Sequence, residues 1–255
     1  MQRRRTLSCI AMLAVLGVLT ALVASRQPFI LEADNAVGRA LVVRGAGTSI
    51  DVLQVLTAPG AEDVRYPILM PIAGFLLWFR RWRLAAFVAV SALAVAPLTT
   101  LLKEAVGRER PSYAGTSVEA GGMSFPSGHS SGAAVLTGVL LVLLWPRTPR
   151  RWRPALAAAA ALGAALIGWT RLALGVHYLS DVLGGLALGT AVVLLAALIL
   201  GTLGSTDSEP GREPHSRQPG VMAQRQPGEN RIEIHEVQHD QRDVQADGPE
   251  PELSS

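Results

Sequence analysis

Apolar residues along this chain gather in long uninterrupted blocks rather than in stripes at helical or strand spacing, and blocks of that kind read as membrane spans. The first runs from about Leu7 to Ala24, behind Arg3, Arg4 and Arg5. A cleavable signal peptide has the same layout, with a basic start, an apolar middle and small residues near Ala24 and Ser25; under either reading the chain beyond begins outside. Residues 25–65 are mixed, and Asn35 to Val43 and Ile50 to Leu56 predict short amphipathic helices at the membrane surface, too polar to span. A second block, about Tyr66 to Phe79, is short and holds Pro67 and Pro71. Four more follow, at about Leu84 to Leu102, Ser127 to Trp145, Pro154 to Thr170 and Asp181 to Leu203. The pattern predicts an all-α membrane protein with six transmembrane helices.

Charge orients these spans. The Arg-rich N-terminus, the connector with Arg80, Arg81 and Arg83, and the connector with Arg147, Arg150, Arg151 and Arg153 fall on one side if spans alternate, and the excess of arginine makes that side cytoplasmic. Loops 25–65, 103–126 and 171–180 then face outward. The chain is 49% apolar with a formal net charge of +3. Its basic residues sit between apolar blocks with no aromatic-interleaved face, so they report topology, and no nucleic-acid partner is expected. The single cysteine, Cys9, lies in the first block, which excludes an intrachain disulfide and a cysteine pair for metal. Small residues in the fifth block, and Gly185 and Gly189 in the sixth, suit close helix packing. From Ser205 to Ser255 the composition turns polar and charged, which predicts a disordered cytoplasmic tail.

The two later outward loops carry the chemistry. Lys103 is followed by Arg110 and Pro111; Pro126, Ser127, Gly128 and His129 open the fourth block; Arg171 is followed by His177 and Asp181. Each cation taken singly has a plain reading as a snorkelling anchor. Together they offer what a phosphate ester needs, because its charge in the transition state must meet fixed cations or a metal. Arginine's planar fork fits phosphate oxygens in pairs and lysine adds a point charge. Ser127, Gly128 and His129 stand where a helix presents unpartnered N–H groups and a positive dipole end, a phosphate cradle to which Ser127 adds its hydroxyl. His177 and Asp181 are four apart, so a helix starting near His177 puts both on one face, the carboxylate holding one ring nitrogen and leaving the other nucleophilic. His129, on another helix, is left to protonate the leaving group. An acid leading into an apolar span is costly without a partner, so Asp181 resists a bland reading.

Lys-x6-Arg-Pro, Pro-Ser-Gly-His and Arg-x5-His-x3-Asp, in that order, resemble the three-part signature of the type-2 phosphatidic acid phosphatase superfamily. The motifs cover residues 103–181, and the layout of spans extends the likeness to most of the chain before the tail. Thr170 stands where that pattern usually has serine and keeps a hydroxyl. The resemblance implies a helical bundle shared with vanadium haloperoxidases, and a phosphohistidine intermediate on His177 oriented by Asp181. It further implies leaving-group protonation by His129, phosphate binding by Lys103, Arg110, Ser127, Gly128 and Arg171, and neither metal nor cofactor. The expected enzyme is a multi-pass protein of the plasma (inner) membrane, hydrolysing a lipid phosphate or polyprenyl diphosphate of the bilayer at its extracytoplasmic face. Residues 1–24 would form the first span, 25–65 an extracytoplasmic cap, 66–204 a five-helix catalytic domain and 205–255 the tail.

Four rival readings stand beside this one. A phosphotransferase would use the same intermediate with an acceptor other than water. A soluble haloperoxidase does not fit six apolar blocks, and a scaffold has no need of Asp181 and the cations. His235, Glu236 and His239 spell the H-E-x-x-H pattern of zinc proteases, but they lie in a polar tail with no core to hold a cleft. Oligomeric state and the choice of lipid are not encoded in any readable motif.

Overall fold

The computed structural model describes residues 2–113, 115, 116, 118 and 120–202. Among these the chain forms eight α-helices: α1 (Gln2–Ala24), α2 (Pro28–Leu41), α3 (Thr48–Thr57), α4 (Glu62–Trp78), α5 (Trp82–Val106), α6 (Gly128–Leu144), α7 (Arg153–Ala173) and α8 (Leu179–Ile199). The segment from Ser205 onward, with its H-E-x-x-H sequence, lies outside the described residues.

Among the described residues, five stretches are long and apolar enough to cross a membrane: Thr6–Ala24, Trp82–Val106, Gly128–Arg147, Arg150–Ala173 and Leu179–Ile199. The remaining expected span is α4, whose 17 residues rise about 26 Å, short of a hydrocarbon layer of about 30 Å. It starts earlier than its apolar run because Glu62 and Asp63 suit the first turn of a helix, where the dipole is positive. Residues 79–81 then turn the chain directly into α5, so the two helices pack as antiparallel neighbours.

Helix α8 is the centre of the bundle and packs on α1, α5, α6 and α7. The apolar core there joins its own Leu188 with Phe87 and Val88 of α5 and Val135 and Val139 of α6, all buried. Lipid tails are as apolar as these side chains, so burial alone drives little association, and close approach and polar links decide the packing. Both are present. A side chain at Gly185 would come within 2.4 Å of the Ser127 carbonyl oxygen, and one at Gly189 within 2.3 Å of that of Ser131, so α6 and α8 meet backbone to backbone. Thr99 of α5 and Ser131 of α6 pair their hydroxyls at 3.3 Å in the interior.

The two ends of the bundle differ. At one, Arg83 Nε donates to the Leu200 carbonyl at 2.8 Å, tying the start of α5 to the end of α8. Arg153 lies over the Trp145 ring, 5.4 Å from its centroid, where α6 gives way to α7. At the other end, α5 and α7 finish while α6 and α8 begin. The expected amphipathic helices appear here as α2 and α3. Ile50 and Leu53 of α3 pack on Ala173, Leu174 and Val176. Val43 N–H donates to the Ala173 carbonyl at 2.8 Å. The 3-10 turn Ala58–Gly60 lies directly on α6, leaving a side chain at Gly60 only 2.4 Å from the His129 carbonyl oxygen. Arg65, 1% exposed, holds that turn by donating from Nη1 to the Gly60 carbonyl at 3.1 Å.

The contact between α6 and α8 can be tested through its glycines. Gly189→Ala, which meets backbone that cannot move aside, is expected to destabilise by about 1–3 kcal/mol, read as a lower midpoint of thermal unfolding in detergent micelles. Gly74→Ala, with nothing within 4 Å of the added carbon, should unfold like wild type.

Candidate active site

Helix α5 ends at Gly107, whose φ of 61° is the left-handed conformation that closes a helix and that glycine adopts without strain. Lys103 is in the last turn before it, and the released chain carries Arg108 and Arg110 back over the bundle. Arg110 Nε donates to the carbonyls of Gly121 (3.1 Å) and Gly122 (3.0 Å). Its Nη1 donates to the Val176 carbonyl at 2.9 Å and lies 3.1 Å from His177 Nε2. A guanidinium has donors only, so Nε2 must present its lone pair to Arg110 and the ring proton belongs on Nδ1.

Nδ1 points to the opposite side, 3.4 Å from Ser124 Oγ and 3.5 Å from Asp181 Oδ2. His177 and Asp181 do meet, but not by sharing a helical face as the spacing suggested. Helix α8 starts at Leu179, after His177, and Asp181 reaches back from the third helical position, where Oδ2 accepts from the Tyr178 N–H at 2.8 Å. Oδ2 also accepts from Ser124 Oγ, and Oδ1 accepts from Arg108 Nη1 at 2.8 Å. Arg108 Nη2 donates to Asp34 Oδ2 at 2.6 Å, and Asp34 Oδ1 accepts from the Ser180 N–H at 2.8 Å. His177 is 2% exposed and Asp181 0%. Burial is the largest influence on the His177 ring and holds its pKa down, at about 4, with Arg110 and Arg171 adding to the effect and Asp181 opposing it.

Arg110 and Arg171 act electrostatically on the His177 ring, and His129 lies within the field of Arg171, His177, Lys103 and Arg110. Arg171 is buried, with Nη1 3.4 Å from Thr57 Oγ1 and Nε without a partner. The N–H groups of Gly128 and His129 open α6, where no preceding turn supplies them with acceptors. Ser127 departs from the expectation that its hydroxyl faces an anion. It is fully buried, its N–H donates to the Asp181 carbonyl at 3.0 Å, and its Oγ caps α6 by accepting from Ser130 N–H (3.4 Å) and Oγ (3.0 Å). Beside Arg110 a cavity of about 400 Å³ is lined by Pro111, Thr116, Gly175 and Val176 among others.

The fold therefore brings Lys103, Arg110, Gly128, His129, Arg171, His177 and Asp181 to one end of the bundle. Chemically this is a lone pair on a fixed imidazole facing several positive groups, with a second imidazole among them. Ser124, Arg108 and Asp34 were missed by motif reading. Arg108 hides inside the six-residue gap between Lys103 and Arg110, Ser124 precedes Pro-Ser-Gly-His, and Asp34 sits just ahead of a segment read as surface helix. One signal was available, since a carboxylate as buried as Asp181 needs a cation and Arg108 was the unassigned one nearby.

Comparison with known proteins gives this end of the bundle its family. Residues 82–204 match the model of the PAP2 superfamily. Phosphatidylglycerophosphatase B of Bacillus subtilis is 30% identical over 166 residues, 64% of this chain and 81% of that protein. Lipid A 1-phosphatase of Rhizobium johnstonii is 38% identical over 116 residues, 42% of this chain and 44% of that protein. Among solved structures, the transmembrane PAP2-type phosphatidylglycerolphosphate phosphatase from Bacillus subtilis superposes with a TM-score of 0.65 at 28% identity, covering 74% of this chain and 94% of the other. With its helical bundle, its apolar spans and its three motifs gathered at one bundle end, the chain belongs to the PAP2 superfamily and is a membrane-embedded phosphatase of that family.

Proposed function

We propose that the chain hydrolyses a phosphate ester or diphosphate carried by a membrane lipid, at the extracytoplasmic face, through a phosphohistidine on His177. The observation that carries this reading is the 3.1 Å approach of Arg110 to His177 Nε2, which directs the imidazole lone pair toward the cations. An incoming phosphate takes over the donors of Lys103, Arg110 and Arg171 and the first N–H groups of α6, while Ser127 supports that turn from beneath. The lone pair on Nε2 forms the bond to phosphorus as the bond to the lipid oxygen breaks, and that oxygen receives a proton from His129. Nδ1 keeps its proton throughout, so the phosphorylated ring is cationic and faces Asp181. Water then attacks phosphorus and gives a proton to His129; the P–N electron pair returns to Nε2 and inorganic phosphate departs.

The side of the membrane follows from charge. The site lies at the bundle end away from the arginine-rich connectors, which are expected to stay cytoplasmic. Helices α2 and α3 serve as a cap, and the cavity of about 400 Å³ beside Arg110 is large enough for a phosphate. Phosphatidylglycerol phosphate is the first substrate to try, because the relative matched over 81% of its length is named for it; phosphatidic acid and polyprenyl diphosphates share the same chemistry.

In detergent micelles, His177→Ala is expected to abolish phosphate release from these lipids, and His129→Ala to lower kcat about 100- to 10,000-fold. Activity surviving in His177→Ala would sink the mechanism, and loss of wild-type activity to a chelator would sink its metal-free form.

The pH dependence has a definite sign. Because the His177 pKa is held at about 4 rather than 6.5, the folded protein favours the neutral ring. That contribution to stability is complete above 6.5 and is lost as pH falls toward 4. The lone pair accordingly persists through neutral and mildly acidic pH. In protein labelled with nitrogen-15 histidine, NMR should show His177 titrating well below 6.5; Asp181→Asn should lower the midpoint further, and a wild-type midpoint at or above 6.5 would contradict the burial argument.

A further inference from the structure

We infer that Arg108 and Asp34, which lie outside the three motifs, form a clamp that positions the Asp181–His177 pair and sets the charge facing the imidazole. This deepens the reading of His177 as nucleophile and rests on it. A carboxylate is planar, so fixing Oδ1 on Arg108 Nη1 at 2.8 Å fixes the direction of Oδ2 toward Ser124 and His177 Nδ1. Arg108 is held in turn from three sides. Asp34 Oδ2 accepts from Nη2 at 2.6 Å, Ser180 Oγ accepts from Nη1 at 2.6 Å, and the Tyr178 ring lies 4.0 Å beneath the guanidinium. Asp34 closes the circuit by accepting from the N–H (2.8 Å) and hydroxyl (2.6 Å) of Ser180, the residue before Asp181. Both carboxylates are at most 2% exposed, so bulk water does not substitute for any of these partners.

The charge count gives the clamp its second effect. Two buried carboxylates share one guanidinium, which leaves about one unit of negative charge beside Nδ1. That unit is unmatched while the ring is neutral and is matched when phosphoryl transfer makes the ring cationic, so the arrangement favours the intermediate over the resting state. Without Asp34, Arg108 would neutralise Asp181 outright. Without Arg108, two like charges would be left buried near each other. Among the described residues, the other charged and titratable groups around the pair include Arg110 and Glu109 of the loop, Arg39 of α2, Lys103 of α5, His129 of α6, Arg171 of α7, and Tyr113 and Tyr178 near Asp34 and Asp181. None of them bridges the two carboxylates as Arg108 does.

The test measures kinetics in wild type, His177→Ala, Arg108→Gln, Arg108→Lys, Asp34→Asn and the Arg108→Gln/Asp34→Asn double variant, and titrates His177 by nitrogen-15 NMR in all of them except His177→Ala, whose missing signal assigns the resonance. Arg108→Gln is expected to lower kcat about 100-fold, the scale of a small misplacement of reacting groups, with KM nearly unchanged, and to raise the His177 midpoint. Asp34→Asn should move the midpoint the opposite way, with a smaller loss of kcat, and the double variant should bring it back toward wild type. Arg108→Lys keeps the charge without the fork, so it should leave the midpoint in place and still lower kcat; it carries the test if the neutral variant does not fold. Midpoints that stay put in both single variants, or move in the same direction, overturn the clamp, as does Arg108→Lys with wild-type kcat. Activity retained in His177→Ala would instead reject the nucleophile, which separates failure of this inference from failure of the proposed reaction.

Discussion

Asp181 is a carboxylate with no exposed surface at the start of a long apolar helix, and the end of the bundle is organised around satisfying it. One oxygen takes Arg108; the other takes Ser124, the Tyr178 N–H and the edge of His177. These partners come from the loop after α5, the approach to α6 and the start of α8, and Arg108 brings in Asp34 from α2. Breaking one buried ion pair costs about 3–5 kcal/mol, against at most about 1 kcal/mol for a pair at the surface. A few buried polar contacts therefore hold the outer segments to the bundle, in surroundings where apolar burial between helices contributes little.

Opposite Asp181, the cations are treated differently. Arg108 is saturated by its two carboxylates and has no freedom to bind a ligand through those bonds. Arg110 is steered by carbonyls at one end and touches His177 with the other, while Arg171 retains a buried Nε–H without a partner. The side chains of Lys103 and His129 make no hydrogen bond to any described residue. Gathering like charges in this way weakens the folded state, a cost that functional sites commonly carry. The close approach of α6 to α8 at Gly185 and Gly189 keeps the cluster in register despite that repulsion, since neither helix can slide without backbone contact.

Much of this was legible in the chain itself. Blocks of apolar residues are sufficient to specify spanning helices, because a bilayer accepts only backbone that satisfies its own hydrogen bonds, and α1, α5, α6, α7 and α8 follow them closely. Motif spacing was sufficient to collect Lys103, Arg110, Gly128, His129, Arg171, His177 and Asp181 at one end, since each motif falls at a helix terminus and antiparallel spans alternate. Helix α4 was legible only in part, because its first turn is polar and its length falls short of a full crossing. The sequence by itself thus determined the spans, their order and the residue types that meet.

Only the tertiary structure decided how those residues meet. His177 lies ahead of α8 rather than on it, so its contact with Asp181 comes from a side chain turning back on a helix start, which a spacing of four does not reveal. Ser127 spends its hydroxyl on capping α6, since a buried first turn has stronger need of an acceptor there than the open side has. Asp34, Arg108 and Ser124 were invisible as a group because nothing local links positions so far apart in the chain. What joins them is a charge that cannot be buried alone, and that demand is met in three dimensions by whichever segments the fold brings within hydrogen-bond reach.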